Sequence, residues 1–264
     1  MDMQLKGKRA LVTGSTSGIG WAIARELAAE GTHVLINGRD VKRLQHALER
    51  IQAEIPGATI DGVQADLATA EGCQRLLDAA GDVDILVNNL GIFESRAFEK
   101  ISDADWLRIF EVNVMSGVRL ALGQLAGMKL RGWGRIVFIS SESGICPPAD
   151  MVHYGMSKSA QLSVSRGLAE TCLGTGVTVN AVLPGPTRTE GVGAFFAKLA
   201  SDAGQSLADA EQAFFKHARP TSLLQRFIEP AEVAALVAYV CSPRAAATNG
   251  AALRVDGGVV RSLI

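Results

Sequence analysis

Residues 9–20 read Arg-Ala-Leu-Val-Thr-Gly-Ser-Thr-Ser-Gly-Ile-Gly: a short apolar run, then glycines at 14, 18 and 20 where a helical pattern begins. The run reads as a strand from Arg9 to Thr13, and the helix is expected over Gly18 to Glu30. Glycines here permit a tight turn, close approach of the backbone to a pyrophosphate, and close packing of helix on strand. A helix that starts at such a turn aims its free N–H groups and the positive end of its dipole at the phosphates. The glycine pattern is weak by itself; its place between a first strand and a first helix makes it a nucleotide-binding turn.

Outward from that turn, β-rich runs at 33–37, 59–65, 85–88, 135–140, 177–183 and 252–255 alternate with helical segments at 40–54, from about 70, and at 103–130, 153–173 and 229–241. The strand cores are continuous apolar runs, such as Ile85-Leu86-Val87 and Ile136-Val137-Phe138-Ile139. That pattern marks strands buried on both faces. Alternation of this kind predicts an α/β fold, a single doubly wound parallel sheet of the Rossmann type with helices on both faces. One domain spans residues 1–264 in this reading. Thr13, Asn37, Asp66, Asn88, Ser140 and Pro184 fall at strand ends, where such sheets bind ligands. The stretch 190–227 exceeds an ordinary connection and carries Phe195, Phe196, Phe214 and Phe215. It is expected to form a lid over that edge; the alternative is a permanently packed helical pair.

Bulk properties exclude several classes. The net charge of −1 supplies no field for nucleic acid or an anionic membrane, so neither is expected as a partner. The cysteines at 73, 146, 172 and 241 show no CxxC spacing, so no zinc site, disulfide framework or other metal is expected. No apolar run reaches the length of a membrane span, and the polar N-terminus has no secretory apolar region. A cytoplasmic protein is the expectation.

A second constellation carries chemistry. Tyr154-Gly155-Met156-Ser157-Lys158 opens a helix, and residues at i and i+4 share one helix face. A phenol titrates near pH 10 in water; a neighbouring ammonium lowers that value and brings tyrosine toward acid–base duty. Ser141, at the end of the fifth strand, is the candidate for holding a substrate oxygen. Ser140 is the alternative, but it points to the opposite side of the strand. Asn113 sits between Val112 and Val114 in a helical stretch, where its amide needs partners. Glu142 and Cys146, just past the same strand, are read as loop residues, with pocket lining as the alternative. At the end of the second strand, Arg39 can grip a phosphate with its guanidinium fork, and the hydroxyls of Ser15 and Ser17 can add hydrogen bonds.

Taken together, Gly14-x-x-x-Gly18-x-Gly20, Asp66-Leu67, Asn88-Asn89-Leu90-Gly91, Asn113, Ser141 thirteen residues before Tyr154-x-x-x-Lys158, Pro184 to Thr189, and Asp256-Gly257-Gly258 come in a specific order. Through them nearly the whole chain resembles the short-chain dehydrogenase/reductase family, and in particular the 3-oxoacyl carrier-protein reductases. The resemblance implies an oxidoreductase that moves a hydride between nicotinamide and a carbonyl or alcohol carbon of a small molecule. Asn113, Ser141, Tyr154 and Lys158 are its implied catalytic residues, with Asn113 holding a water against the lysine. Its implied cofactor residues are Gly14, Ser15, Ser17, Gly18, Ile19, Gly20, Arg39, Asp66, Leu67, Asn89, Gly91, Tyr154, Lys158, Pro184, Gly185, Thr187 and Thr189. Leu90 departs from the family's alanine. Gly38 stands where an acid would select NAD(H), and Arg39 follows it, so NADP(H) is favoured, with NAD(H) the alternative. Ser17 stands where NADP enzymes of the family often carry a basic residue. A homo-oligomer, tetramer or dimer, is implied as well. An epimerase of the same family and a non-catalytic nucleotide sensor are the competing readings; the intact Asn113, Ser141, Tyr154 and Lys158 set argues against the sensor.

Overall fold

The structure, a computed structural model, describes residues 2–202 and 204–263. The side chain of Phe195, expected among the paired phenylalanines, lies outside that description. Among the described residues the strands are β1 (Arg9–Val12), β2 (His33–Gly38), β3 (Ile60–Gln64), β4 (Ile85–Asn88), β5 (Gly134–Ile139), β6 (Val177–Pro184) and β7 (Ala252–Val255). They form one parallel sheet in the order β3-β2-β1-β4-β5-β6-β7. The helices are α1 (Gly18–Ala29), α2 (Val41–Glu54), α3 (Ala70–Ala80), α4 (Asp103–Phe110), α5 (Ser116–Leu130), α6 (Val152–Glu170), α7 (Glu190–Asp202), α8 (Leu207–His217) and α9 (Pro230–Cys241). The strand order reverses between β1 and β4, the switch point at which such sheets open a ligand crevice.

The apolar strands bury both faces, and successive residues feed opposite cores. Ala10 and Val12 pack with Ile23, Leu27, Val237 and Val240 beneath α1 and α9. Leu11 points the other way, to Leu76, Leu120 and Phe138 under α3 and α5. All of these are fully or nearly fully buried, and each large apolar side chain so placed contributes roughly 1.5–3 kcal/mol over its exposed state. Register then aligns the strand ends: Val12 pairs with Ile36 and with Val87, Asn88 with Phe138, and Ile139 with Val182.

Two regions differ from the sequence expectation. The helical stretch 103–130 is not one α-helix; a π turn at Glu111–Met115 separates α4 from α5. An extra residue per turn leaves the apolar pattern readable as helix, while it swings Asn113 to a new direction. The 190–227 excursion forms α7 and α8, which close on each other over a cluster of their own. Phe196, Phe214, Phe215 and Phe227 meet with ring centroids 5.0–5.4 Å apart. The excursion leaves and rejoins the sheet side by side, Thr187 bridging Ile228.

Because that cluster is separate from the two sheet cores, Phe215→Ala is expected to loosen the excursion and not the sheet. Hydrogen exchange should accelerate across 190–217 while β4 and β5 keep their protection. Exchange that rises in the sheet as well would show that the cluster belongs to the main core.

Candidate active site

The glycine turn is braced by side-chain amides at neighbouring strand ends. Asn37 Oδ1 accepts from Gly14 N (3.4 Å), and its Nδ2 donates to the carbonyls of Val63 and Ala65 (3.2 Å each). Asn89 Nδ2 donates to the carbonyls of Thr13 (2.9 Å) and Gly14 (3.1 Å). A Cβ on Gly20 would lie 2.3 Å from Asn89 Nδ2 and 2.6 Å from Gly14 O, so only glycine fits. Ile19 packs against the core below. No side chain caps α1, although Asp40, Thr69, Ser102 and Ser206 cap α2, α3, α4 and α8. The first N–H groups of α1 therefore keep their capacity for an anion.

Ser15 corrects the sequence expectation. Its buried hydroxyl donates to Val12 O (2.7 Å) and accepts from Asn37 N (2.9 Å), so it braces the turn and is not placed to bind phosphate. Ser17 Oγ accepts from Arg43 Nη2 (3.2 Å), which brings a guanidinium beside the turn. Arg43 went unnoticed in the sequence; its signal was its place four residues after Arg39, in the first turn of α2. Arg39 itself is exposed and has no ion-pair partner among the described residues. A Cβ on Gly38 would meet Thr16 Cγ2 at 2.4 Å, so an acid at that position would have to displace Thr16.

The other expected cofactor residues lie along the same edge. Asp66 Oδ1 accepts from Ala68 N (3.1 Å), while the Leu67 side chain is buried in the core and leaves only its backbone to the site. Gly91 lies against Lys158, whose Nζ is 3.4 Å from where a Cβ on Gly91 would be. Gly185 follows Pro184 so tightly against Asp256 O that a Cβ would sit 2.5 Å from it. Thr187 Oγ1 donates to Gly185 O (2.9 Å), and Thr189 Oγ1 accepts from Val192 N (3.3 Å). Thr189 also stands over Gly18, which joins this segment to the glycine turn.

Ser141, Tyr154 and Lys158 converge. Ser140 turns away to donate to Lys158 O (2.9 Å) and ties β5 to α6. Ser141 faces Tyr154, and its hydroxyl draws the phenol pKa down; burial first, then the Glu142 carboxylate, push it up, and the balance is a phenol above its ordinary value. Burial pulls the Lys158 ammonium down to about 7. The expected direct help from lysine to tyrosine takes another form: Lys158 Nζ lies 5.6 Å from the centre of the Tyr154 ring and donates to Ile139 O (2.9 Å) and Gln161 Oε1 (3.1 Å).

Gln161 continues that chain by donating to Asn113 O (2.6 Å). Asn113 spends its own amide on Ile92 N (2.7 Å), Ile92 O (2.9 Å) and Ser157 Oγ (2.9 Å). The asparagine thus reaches the lysine through its backbone carbonyl and a glutamine. Gln161 was missed, although it stands three residues after Lys158 on the same helix face. Phe93 meets the Tyr154 ring edge-on at 6.3 Å and offers an apolar wall. Glu142 is buried and bonded to Ser141, which the loop reading had not anticipated. Among the described residues no cluster of three or more His, Cys, Asp or Glu could hold a metal, and no helix is long and apolar enough to cross a membrane.

The model of the short chain dehydrogenase family matches residues 8–200. The chain belongs to the short-chain dehydrogenase family. As a member it is an NAD(P)-dependent oxidoreductase of the carbonyl/alcohol type. Relatives agree across their full lengths. An uncharacterized oxidoreductase of Bacillus subtilis (strain 168), YvaG, is 49% identical over 263 residues, covering 100% of both chains. The 3-oxoacyl-[acyl-carrier-protein] reductase FabG of Aquifex aeolicus (strain VF5) is 34% identical, covering 98% of this chain and 100% of its own. Among solved structures, L-sorbose reductase from Gluconobacter frateurii, complexed with NADPH and L-sorbose, superposes with a TM-score of 0.95 at 33% identity, with 100% of both chains covered.

For this short-chain dehydrogenase the Gly20 contacts yield a direct test. Over-packing costs about 1–3 kcal/mol, so Gly20→Ala should weaken NADPH binding by about ten- to a hundredfold. Circular dichroism should be unchanged. Equal affinities by calorimetry would show that the turn can absorb the methyl group without moving Asn89.

Proposed function

We propose that this enzyme reduces a small carbonyl compound with NADPH, Tyr154 giving the proton while Ser141 holds the oxygen. The observation that carries this reading is the convergence of Ser141, Tyr154 and Lys158 at the sheet edge, beside the uncapped start of α1. The residues fit a nicotinamide dinucleotide: α1 starts without a side-chain cap, and the turn is so closely walled that a Cβ on Gly14, Gly18 or Gly20 would press on Leu90, Thr189 or Asn89. When bound, the dinucleotide supplies the hydride. Asn113, through Gln161, fixes Lys158 beneath the Tyr154 ring. A phenol held above its ordinary pKa is protonated at neutral pH, which suits donation to a carbonyl oxygen. Running in reverse, the same groups oxidise an alcohol.

Gly14, Ser17, Gly18, Ile19, Gly20, Asp66, Leu67, Asn89, Gly91, Pro184, Gly185, Thr187 and Thr189 line the dinucleotide in this reading. Ser15 contributes as a brace only. Preference for NADP(H) over NAD(H) rests on the acid-free Gly38 and on two guanidiniums, Arg39 and Arg43, beside the turn. L-sorbose reductase bound to NADPH supports the same cofactor. The excursion 190–227 acts as the substrate lid. Exposed Leu122 and Leu130 on α5 support a homo-oligomer, tetramer or dimer, and unpaired cysteines suit a cytoplasmic setting.

Tyr154→Phe should leave NADPH affinity near that of the parent while turnover falls by about 100- to 10,000-fold. A β-keto ester and a ketose, the carbonyl types of the named relatives, are the substrates to try; near-normal kcat in the variant refutes the assigned proton donor. For the cofactor, kcat/KM with NADPH should exceed that with NADH, and Arg39→Asp should reverse or abolish the preference. A parent enzyme that favours NADH overturns that part.

A further inference from the structure

Glu142 and Arg219 form an ion pair that the roles above do not use. Glu142 directly follows Ser141 and is 4% exposed. One of its carboxylate oxygens accepts the Ser141 hydroxyl hydrogen, and the other accepts from Arg219 Nε at 3.2 Å. Arg219 comes from the excursion, just past α8. Its guanidinium lies 5.7 Å from the centre of the Phe214 ring, and its backbone N–H donates to Phe214 O (3.1 Å). One end of the pair therefore sits in the serine loop and the other in the phenylalanine cluster.

Ser141 has a single hydrogen. While Glu142 holds it, the hydroxyl cannot donate to a substrate oxygen, and it already accepts from Ser143 N (3.1 Å). Tyr154 feels the same two charges with opposite sign, the carboxylate disfavouring the phenolate and the guanidinium favouring it. A buried ion pair is a poor device for stability alone, since apolar replacements often serve as well. Beside a proton donor it has another use. We propose that Glu142 and Arg219 are positioning residues through which the 190–227 excursion sets the Ser141 hydroxyl and the Tyr154 phenol for proton transfer. With Arg219 seated, as here, the guanidinium shares the carboxylate's charge and weakens its hold on the Ser141 hydrogen, so that a substrate oxygen can compete for it. With Arg219 withdrawn, the lone carboxylate grips the serine hydrogen and opposes the phenolate. Among the described residues the other charged or titratable groups here are Lys158, 5.6 Å from the centre of the Tyr154 ring, His153 next to Tyr154 in α6, Asp150, which accepts from Ser95 Oγ (2.5 Å), and Arg261, which shares an open cavity with Arg219, Cys146 and Thr221.

This deepens the carbonyl-reductase reading and rests on it, yet it can be tested without turnover. The chain has two tyrosines, so in a Tyr239→Phe background the tyrosinate absorbance reports Tyr154 alone. Rapid alkaline jumps read the phenol before the fold is lost. Glu142→Gln should move the midpoint down by about one pH unit. Arg219→Gln should move it up, and the double variant should return it toward the parent. With NADPH and ethyl acetoacetate or L-sorbose, Arg219→Gln should lower kcat about tenfold or more with a smaller change in KM, and adding Glu142→Gln should restore part of the loss. A midpoint unmoved in Glu142→Gln, or equal losses in Arg219→Gln and the double variant, overturns the proposal. If the parent reduces neither compound, the carbonyl-reductase reading is what fails, and the tyrosinate midpoints still decide the pair.

Discussion

Parallel strands that end level with one another present a row of backbone groups that the sheet cannot pair, and two asparagine amides take up that task. Asn37 and Asn89 hold Thr13, Gly14, Val63 and Ala65 together. Everything functional in this molecule is referred to that lattice. It presses the glycine turn into one shape, and that shape leaves α1 uncapped with its amides outward. On the other side of the switch point β4 carries Gly91 to the lysine, and β5 carries Ser141 to the tyrosine. Both amides are spent on backbone groups at neighbouring strand ends.

The electrostatics of the site follow first from how dry it is. Lys158 is buried with two neutral acceptors and no carboxylate, which is why its ammonium is held down to about 7. Tyr154 is pushed the other way by the same dry surroundings. Burial thus drives the two pKa values apart, because it disfavours the charged form of each group, phenolate and ammonium alike.

Much of this was legible from residues alone, and the reason is local. A continuous apolar run such as 85–87, bounded by Asp84 and Asn88, reads as a short buried strand, so β4 was readable to the residue. Tyr154 and Lys158 lie on one helix, where four residues fix a shared face. What escaped reading depended on distance or on ambiguity of side-chain type. Glu142 and Arg219 are 77 residues apart, and only the folded excursion joins them. Ser15 carries the hydroxyl that a phosphate would want, but the same hydroxyl satisfies Val12 and Asn37. Asn113 read as an α-helical residue because a π turn preserves apolar spacing over so short a span.

The pinned ends of the excursion have a consequence for how such an enzyme can change. Thr187 and Ile228 hold entry and exit as neighbours, so the excursion leaves and rejoins the sheet at one place. Lengthening a closed loop costs little, about 0.6 kcal/mol for each doubling, and this loop brings its own apolar centre. The stretch between those points is in effect a replaceable cassette. Descendants of this chain could exchange it, acquiring new substrates by recombination while the dinucleotide half of the molecule stays as it is, so long as the new stretch again supplies a cation to Glu142.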